Sequence, residues 1–413
     1  MVMNQPHGGR LINRLLIGKE RQEELEKAKS YPPVFIENST ILDLELIANG
    51  TYSPLTGFLN HDDYYSVLRR LELTNGLCWT IPITCCISQD VAKEIKTGEK
   101  ISLADKKNRL LGIMEVRDKF QVDYELELQI LYQPPRVNSA ALESFKRRRE
   151  VALAGDIWLL NRPESALKSI YRLDPAGSRA MFQKMSWNRI LTFQAPNPIC
   201  QTNDSVEKYA LKIVDGLFFQ PEIPENELTP NEMMQQLDNY HKIMQYYYPR
   251  EKSILGYLPR ASRYNSPREF VLQAIMKKNY GCTHYIVAEK EVKAEQNYSL
   301  MDVRRFFEEI SMERLDITPV FVDETFYCRK CERIVTPQTC QHDRNSSELV
   351  RAENMDAMLP LNHLPPLEFC CDEIMSLLSN KVWRNIPDGI QNNNLGGFSE
   401  LNPRLQQFIT DND

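Results

Sequence analysis

From about residue 166 to residue 322, short apolar runs alternate with segments of helical period, and that rhythm leaves few folds open. It is the signature of a parallel sheet joined by crossover helices. Four strands are predicted, at 190–193, 253–258, 283–288 and 317–322. After the first of them, Asp204 is placed to cap a helix with Glu207 three positions on, and Val206, Ala210, Ile213 and Leu217 recur at helical spacing. Pro267 suits a first helical position; the helix runs through Phe270, Ala274 and Met276, and Gly281 ends it. A further helix near 301–315 precedes the last strand. Ligands of such a sheet lie beyond the carboxyl ends of its strands, so the loops 194–203, 259–266 and 289–298 are where chemistry is expected.

Upstream, the short apolar runs are broken by turn signals such as Asn49-Gly50, Asn75-Gly76 and Pro134-Pro135, which predicts a β-rich first domain with a few helices. A chain of 413 residues has room for two or three cores. The reading divides it into a β-rich domain over 1–165, an α/β domain over 166–325, a small domain over 326–395 and a tail over 396–413. With 42% apolar and 26% charged residues the chain has the composition of a globular protein. No apolar run reaches the roughly 20 residues of a membrane helix, and the first ten residues lack a signal-peptide core, so a cytoplasmic location and no membrane partner are expected. A net charge of −6 gives no reason to expect nucleic acid, and the run Lys146-Arg147-Arg148-Arg149 reads as a solvated surface.

Ten cysteines are present. Cys85-Cys86 and Cys370-Cys371 are adjacent in sequence and poor partners for each other, so disulfides are not expected. Cys328-x2-Cys331-x8-Cys340-x-His342 is different: four ligands within fifteen residues suit tetrahedral zinc. Four protein ligands leave no open position, which makes the expected zinc structural. It would hold together a segment too polar to fold on its own core.

Several strings in the first domain carry a resemblance: Pro6-His7-Gly8-Gly9, Leu44-Glu45-Leu46-Ile47-Ala48, Tyr52-Ser53-Pro54-Leu55-Thr56-Gly57-Phe58, and Asn75-Gly76-Leu77 followed by Trp79 and Ile81-Pro82-Ile83-Thr84. The second domain continues it with Ser178-Arg179-Ala180, Val214-Asp215-Gly216, Tyr247-Tyr248-Pro249, Arg263-Tyr264, Pro267-Arg268-Glu269 and Lys278-Asn279-Tyr280-Gly281-Cys282-Thr283-His284. In this order the chain resembles the sulfate adenylyltransferases, or ATP sulfurylases, over roughly residues 1–390, and in particular the bacterial and archaeal type with a Cys/His zinc set. The resemblance implies a PUA-like, barrel-like first domain, a Rossmann-like nucleotidyltransferase domain and a small zinc-binding carboxyl-terminal domain. It also implies the family's reaction, in which ATP with magnesium and sulfate give adenosine 5′-phosphosulfate and pyrophosphate. A homodimer or larger homo-oligomer is expected with it.

Two anions must meet in that reaction, so the site needs fixed positive charge and backbone donors. The family supplies them with Gln-x-Arg-Asn-Pro-x-His-x-x-His on the first loop and Gly-Arg-Asp-His-Ala-Gly on the third. Here Gln194, Asn197 and Pro198 match, whereas Pro196 holds the arginine position and Cys200 and Asn203 hold the histidine positions. On the third loop Glu289 replaces the arginine and Glu291 the histidine. Ala288 and Lys293 replace glycines that let backbone approach phosphate. The family's Thr-Thr-Asp-x-x-His-Pro-Gly string is also missing, with residues 134–141 in its place. On the second loop Arg260, Arg263 and Arg268 persist, which makes Gln194, Asn197, Pro198, Arg263 and Arg268 the remnants of a substrate site.

Losing one preorganised oxyanion donor costs about 3–4 kcal/mol, and here several are gone at once. Three readings stay open. The protein is a catalytically impaired member of the family, regulating or pairing with an active relative; or an active sulfurylase using Arg260, Arg263, Lys290 and Lys293; or a cleft repurposed for another nucleotide or acid. His7 is expected to fix the amino-terminal turn and His284 to be a hydrogen-bonded core residue. Cys200 has no partner histidine evident nearby to make it a nucleophile.

Overall fold

The computed structural model describes residues 4–131, 150–164, 171–193, 210–223, 229–259, 266–294, 298–310, 312–323, 326–328, 330–331, 333–336, 338–342 and 349–350. The described residues beyond 324 belong to a compact unit separate from the rest. None of the described helices is long and apolar enough to cross a membrane.

The first domain is built on six strands: β1 Pro33–Phe35, β2 Gly57–Phe58, β3 Cys85–Ile87, β4 Lys100–Ala104, β5 Leu110–Gln121 and β6 Val151–Leu159. They run in the order β1-β4-β5-β6-β2, with β3 also on β6. The long antiparallel pair β5/β6 is its spine, and its register slips by one residue between Val116 and Asp118. The expected β-rich sheet is therefore present. Turn signals understate the helices, however, because among the described residues five pack around it: α1 Gly18–Ala28, α2 Asn38–Ala48, α3 His61–Arg70, α4 Gln89–Glu94 and α5 Tyr124–Leu131. The core between α2, α3 and the sheet holds Leu44, Ile47, Tyr52, Tyr64, Val67 and Trp79, all fully buried.

The second domain carries a five-stranded parallel sheet in the order β10-β8-β7-β12-β13. Its members are β7 Ile190–Phe193, β8 Gly216–Phe219, β10 Ser253–Leu255, β12 His284–Ala288 and β13 Thr318–Val322. Counted in chain order this is 3-2-1-4-5, the doubly wound arrangement, and the strand order reverses between β7 and β12. The short parallel pair β9 Glu222–Ile223 and β11 Leu258–Pro259 extends the neighbouring strands beyond the sheet. The helices are α6 Pro175–Lys184, α7 Pro230–Tyr247, α8 Pro267–Asn279, α9 Glu289–Ala294, α10 Leu300–Ile310 and α11 Met312–Leu315.

Four expectations need correction. The helix expected to run through Leu217 does not reach it, because Gly216–Phe219 is the central strand β8. A four-residue strand buried on both faces has no alternation, so its apolar residues fit a helical template equally well. Gly216 itself is needed there, since a Cβ would lie 2.4 Å from the Trp187 ring. Helix α7 was not anticipated, although Thr229 and Glu232 close a full capping box at its start and Pro230 occupies its first turn. The strand expected over 253–258 is divided into β10 and β11 at Gly256. Finally, the third expected loop is not a loop at its start: α9 begins directly at Glu289.

The two domains are tied together by the carboxyl-terminal end of α8. Fully buried Asn279 donates from Nδ2 to the Thr51 and Ser53 carbonyls at 2.9 Å each, and its Oδ1 accepts the His7 N–H at 2.9 Å. Arg179 closes the same helix end, donating to the carbonyls of Asn279 and Lys278 at 2.7 Å and to that of Asn4 at 2.8 Å. Ser178 donates to the Tyr280 carbonyl at 2.7 Å. His7 is buried with its Nε2 donating to the Cys78 carbonyl at 2.7 Å, and burial pulls its pKa down to about 4, so it stays neutral. At the other end of α8, Arg268 donates to the carbonyls of Val67, Leu68 and Thr80 in the first domain, while the Thr80 hydroxyl donates to its carbonyl at 2.7 Å.

Candidate functional site

The carboxyl ends of β7 and β12, where the strand order reverses, form the crevice in which a doubly wound sheet holds its ligand. On the β12 side the chain turns straight from Ala288 into α9. Val292, fully buried, anchors this short helix. Glu291 is its third residue, the position from which a glutamate reaches back toward the N-cap. The Ala288 N–H favours its ionised form without completing a hydrogen bond. Although the residue as a whole is partly exposed, both carboxyl oxygens are shut off from solvent and have no hydrogen-bond partner. Burial, reinforced by the negative charge of Glu222, pushes the Glu291 carboxyl up to about 8 against the opposing pull of Lys277.

Lys277 comes to this cluster from α8. It is 0% exposed, and its Nζ donates to the side-chain oxygen of Gln220 at 2.9 Å and to the Gln220 carbonyl at 3.4 Å. Burial lowers its pKa, and the charges of Glu222 and Glu291 work the other way. Gln220, also 0% exposed, follows β8 directly and leaves its Nε2 without a partner. Tyr240 from α7 and Tyr285 from β12 also feel the Glu291 charge, and both phenols are held neutral by burial. Among the described side chains, the β12 edge of the crevice thus presents carboxyl groups, an amide and an internally bonded ammonium.

Of the residues singled out from sequence, Gln194, Pro196, Asn197, Pro198, Cys200, Asn203, Arg260 and Arg263 lie outside the described residues, as do the side chains of Lys290 and Lys293. Glu289 and Glu291 are both in the first turn of α9. Arg268 lies in the first turn of α8, with its guanidinium on three first-domain carbonyls; burial brings its pKa down to about 10. His284 opens β12 half-buried, its Nδ1 2.8 Å from the Thr283 hydroxyl. Gln220, Glu222 and Lys277 were not anticipated. The available signal was slight, because Lys277 follows the apolar run Ala274-Ile275-Met276 but opens Lys277-Lys278-Asn279, which reads as an ordinary polar helix end.

Cys328, Cys331, Cys340 and His342 come together in a small unit containing β14 Phe326–Cys328, β15 Arg333–Val335 and β16 Leu349–Val350. The turn between β14 and β15 brings Cys331 beside Cys328. Their ligand atoms all lie within 4.8 Å of one another, with Cys331 and Cys340 sulfurs 3.9 Å apart. The His342 Nδ1 is 3.5, 3.3 and 3.7 Å from the sulfurs of Cys328, Cys331 and Cys340. A tetrahedral ion with bonds of about 2.3 Å to sulfur and about 2.0–2.1 Å to nitrogen spaces its ligands about 3.6–3.8 Å apart, so the set is gathered closely enough to hold a metal ion. Burial raises the Cys328 thiol, but hydrogen bonds from the backbone and the neighbouring thiols outweigh it and bring it down to about 7.

A sheet of order 3-2-1-4-5 behind a domain of six strands and five helices defines a doubly wound α/β protein with an appended first domain, and its ligand crevice is at the switch point. Comparison with known proteins gives the class a family. Residues 4–162 match the PUA-like domain and residues 169–381 match ATP-sulfurylase. The sulfate adenylyltransferase of Symbiobacterium thermophilum is 37% identical over 373 residues, covering 90% of this chain and 95% of that protein. That of Synechococcus sp. is 35% identical over 91% of this chain and 96% of its own length. Among solved structures, a hexameric APS kinase from Thiobacillus denitrificans shares the fold, with a TM-score of 0.70 at 20% identity over 92% of this chain and 68% of that one. The chain belongs to the ATP-sulfurylase family.

Proposed function

We propose that this protein is a member of the family in which adenylyl transfer from ATP to sulfate is impaired, so that the scaffold outlives the reaction. One observation carries the reading. Where the family's motif presents arginine, histidine and glycine to phosphate, this chain begins a helix at Glu289 and buries the unpartnered carboxyl of Glu291. Developing negative charge there meets Glu289 and Glu291 in place of the motif's arginine and histidine, which removes the electrostatic preorganisation the reaction needs. The first loop adds no cation, since Pro196, Cys200 and Asn203 stand at its arginine and histidine positions. A coupled pyrophosphate assay tests this: purified protein with magnesium, ATP and sulfate is expected to release no sulfate-dependent pyrophosphate. Turnover at roughly 1 per second or above would return the protein to the active sulfurylases.

The ion at Cys328, Cys331, Cys340 and His342 is zinc in this reading, and its role is structural because four protein ligands close the shell. Metal analysis is expected to find one zinc per chain, with less in Cys331→Ser. Less than about half an equivalent in carefully prepared protein would count against zinc. The protein works as a cytoplasmic homo-oligomer, an assembly its hexameric structural neighbour makes reasonable.

A further inference from the structure

Away from the crevice beside β12, helix α2, the turn between β4 and β5, and the chain entering α6 border a cavity of about 140 Å³. We propose that this cavity is a second binding site and that its ligand is a small zwitterion, a free α-amino acid with a short side chain. The site shares no residue with the crevice, and it stands whether or not adenylyl transfer is impaired.

Size sets the first limit. An engineered apolar cavity of roughly 150 Å³ holds benzene, so this one has room for about six or seven heavy atoms. Alanine and serine meet that limit, and a nucleotide does not.

The walls set the chemistry. Ile41 of α2, Leu111 of β5 and Pro259 at the end of β11 supply apolar surface. Among the described residues the charged lining is two guanidiniums, Arg109 and Arg172, and three carboxyl groups, Glu45, Asp105 and Glu164. Most of the acceptor capacity is already spent. Asp105 accepts the Lys107 and Arg109 N–H groups at 2.9 Å each and Arg109 Nε at 2.6 Å. Glu45, only 2% exposed, is engaged by Arg172 and, at 3.4 Å, by Arg162. The guanidiniums keep donors in hand. Among the described residues Arg172 donates to Glu45 alone, and the Arg109 side chain to Asp105 and Glu164 alone, whereas a guanidinium has five N–H groups.

What the cavity still offers is therefore planar N–H donors, which suit a carboxylate, and one accessible acceptor, the exposed Glu164 carboxylate. A plain anion meets three carboxyl groups against two guanidiniums, and a plain amine leaves the spare donors unmatched. A carboxylate and an ammonium on one carbon match both, and the apolar surface takes the side chain. Ordered water is the competing explanation for a polar cavity of this size, and it predicts no saturable binding.

L-Alanine is the probe. Calorimetry on the full-length protein at neutral pH and fixed ionic strength compares it with propionate, which lacks the ammonium, and with ethylamine, which lacks the carboxylate. Alanine is expected to saturate one site per chain and to bind at least about tenfold more tightly than either. Arg109→Gln and Glu164→Gln alter exposed side chains and are each expected to weaken alanine binding about tenfold or more. Arg172→Gln is expected to abolish it. That change also takes a partner from buried Glu45, so should the variant fail to fold, the two exposed positions carry the test. No saturable alanine binding, equal binding of alanine and either control, or unchanged affinity in Arg109→Gln or Glu164→Gln overturns the site.

Discussion

Lys277 and Asn279 are two residues apart on one helix, and both are fully buried. Asn279 has every side-chain donor and acceptor matched by first-domain backbone. Lys277 has one residue, Gln220, as its hydrogen-bond partner, and the groups around it include a partnerless amide nitrogen and two partnerless carboxyl oxygens. The Asn279 side chain in the joint is saturated and the groups around Lys277 are not. Buried polar groups normally find partners, so the contrast separates a region that holds structure from one arranged for something else. The family resemblance divides along the same line. Lys278-Asn279-Tyr280-Gly281 and Ser178-Arg179-Ala180 match the family and build the joint, while Glu289 and Glu291 depart from it and line the crevice.

The comparison can be broken at the joint first. Asn279→Ala removes three buried hydrogen bonds and orphans two carbonyls and the His7 N–H, and a loss of about 3–4 kcal/mol in urea unfolding is expected. A loss below about 1 kcal/mol would mean that the joint does not hold the domains.

Glu291→Gln should act in the opposite sense, and increasingly so as pH rises above about 4.5. The carboxyl's unfolded value is near 4.5 and its folded value about 8, so between these the native state binds the proton more tightly. Its contribution to stability is therefore present in full at low pH, declines as pH rises by at most about 1.4 kcal/mol per unit, and is lost above about 8. The glutamine variant escapes that decline. At about pH 6 it should be more stable than wild type by about 2 kcal/mol, a gap that closes below about pH 4 and approaches about 5 kcal/mol at about pH 9. Equal pH dependence in the two proteins would show that Glu291 is solvated.

Arg268→Lys is expected to lose about 1–2 kcal/mol, since an ammonium cannot reproduce the planar fork that reaches three carbonyls. If the variant instead loses ligand binding with its melting temperature unchanged, the residue belongs to the crevice rather than the joint. The smallest effect is expected from Pro196→Arg, which should leave sulfate-dependent turnover at its starting level. One restored cation does not offset the two replaced histidines of its own loop or the carboxyl of Glu291. Recovery of turnover from that single change would relocate the defect to one residue.

The sequence alone determined those features whose signal is local. Pro267 at the start of α8 and Gly281 just past its end mark that helix by backbone chemistry, and Gly281 does adopt a φ of +101°. The apolar runs of β7, β12 and β13 and the spacing of Cys328, Cys331, Cys340 and His342 are legible for the same reason. Strand β8 and helix α9 were not. Four buried residues carry no period, and a chain segment such as Glu289–Ala294 becomes a helix or a loop according to what its Val292 and Glu291 pack against. The tertiary structure alone decided that Arg268 faces the first domain, that Gln220, Glu222, Lys277 and Glu291 meet across four elements, and that the carboxyl of Glu291 is cut off from water. Charge is written in the sequence; the dielectric around it, and the partners that balance it, are set only when distant segments fold together.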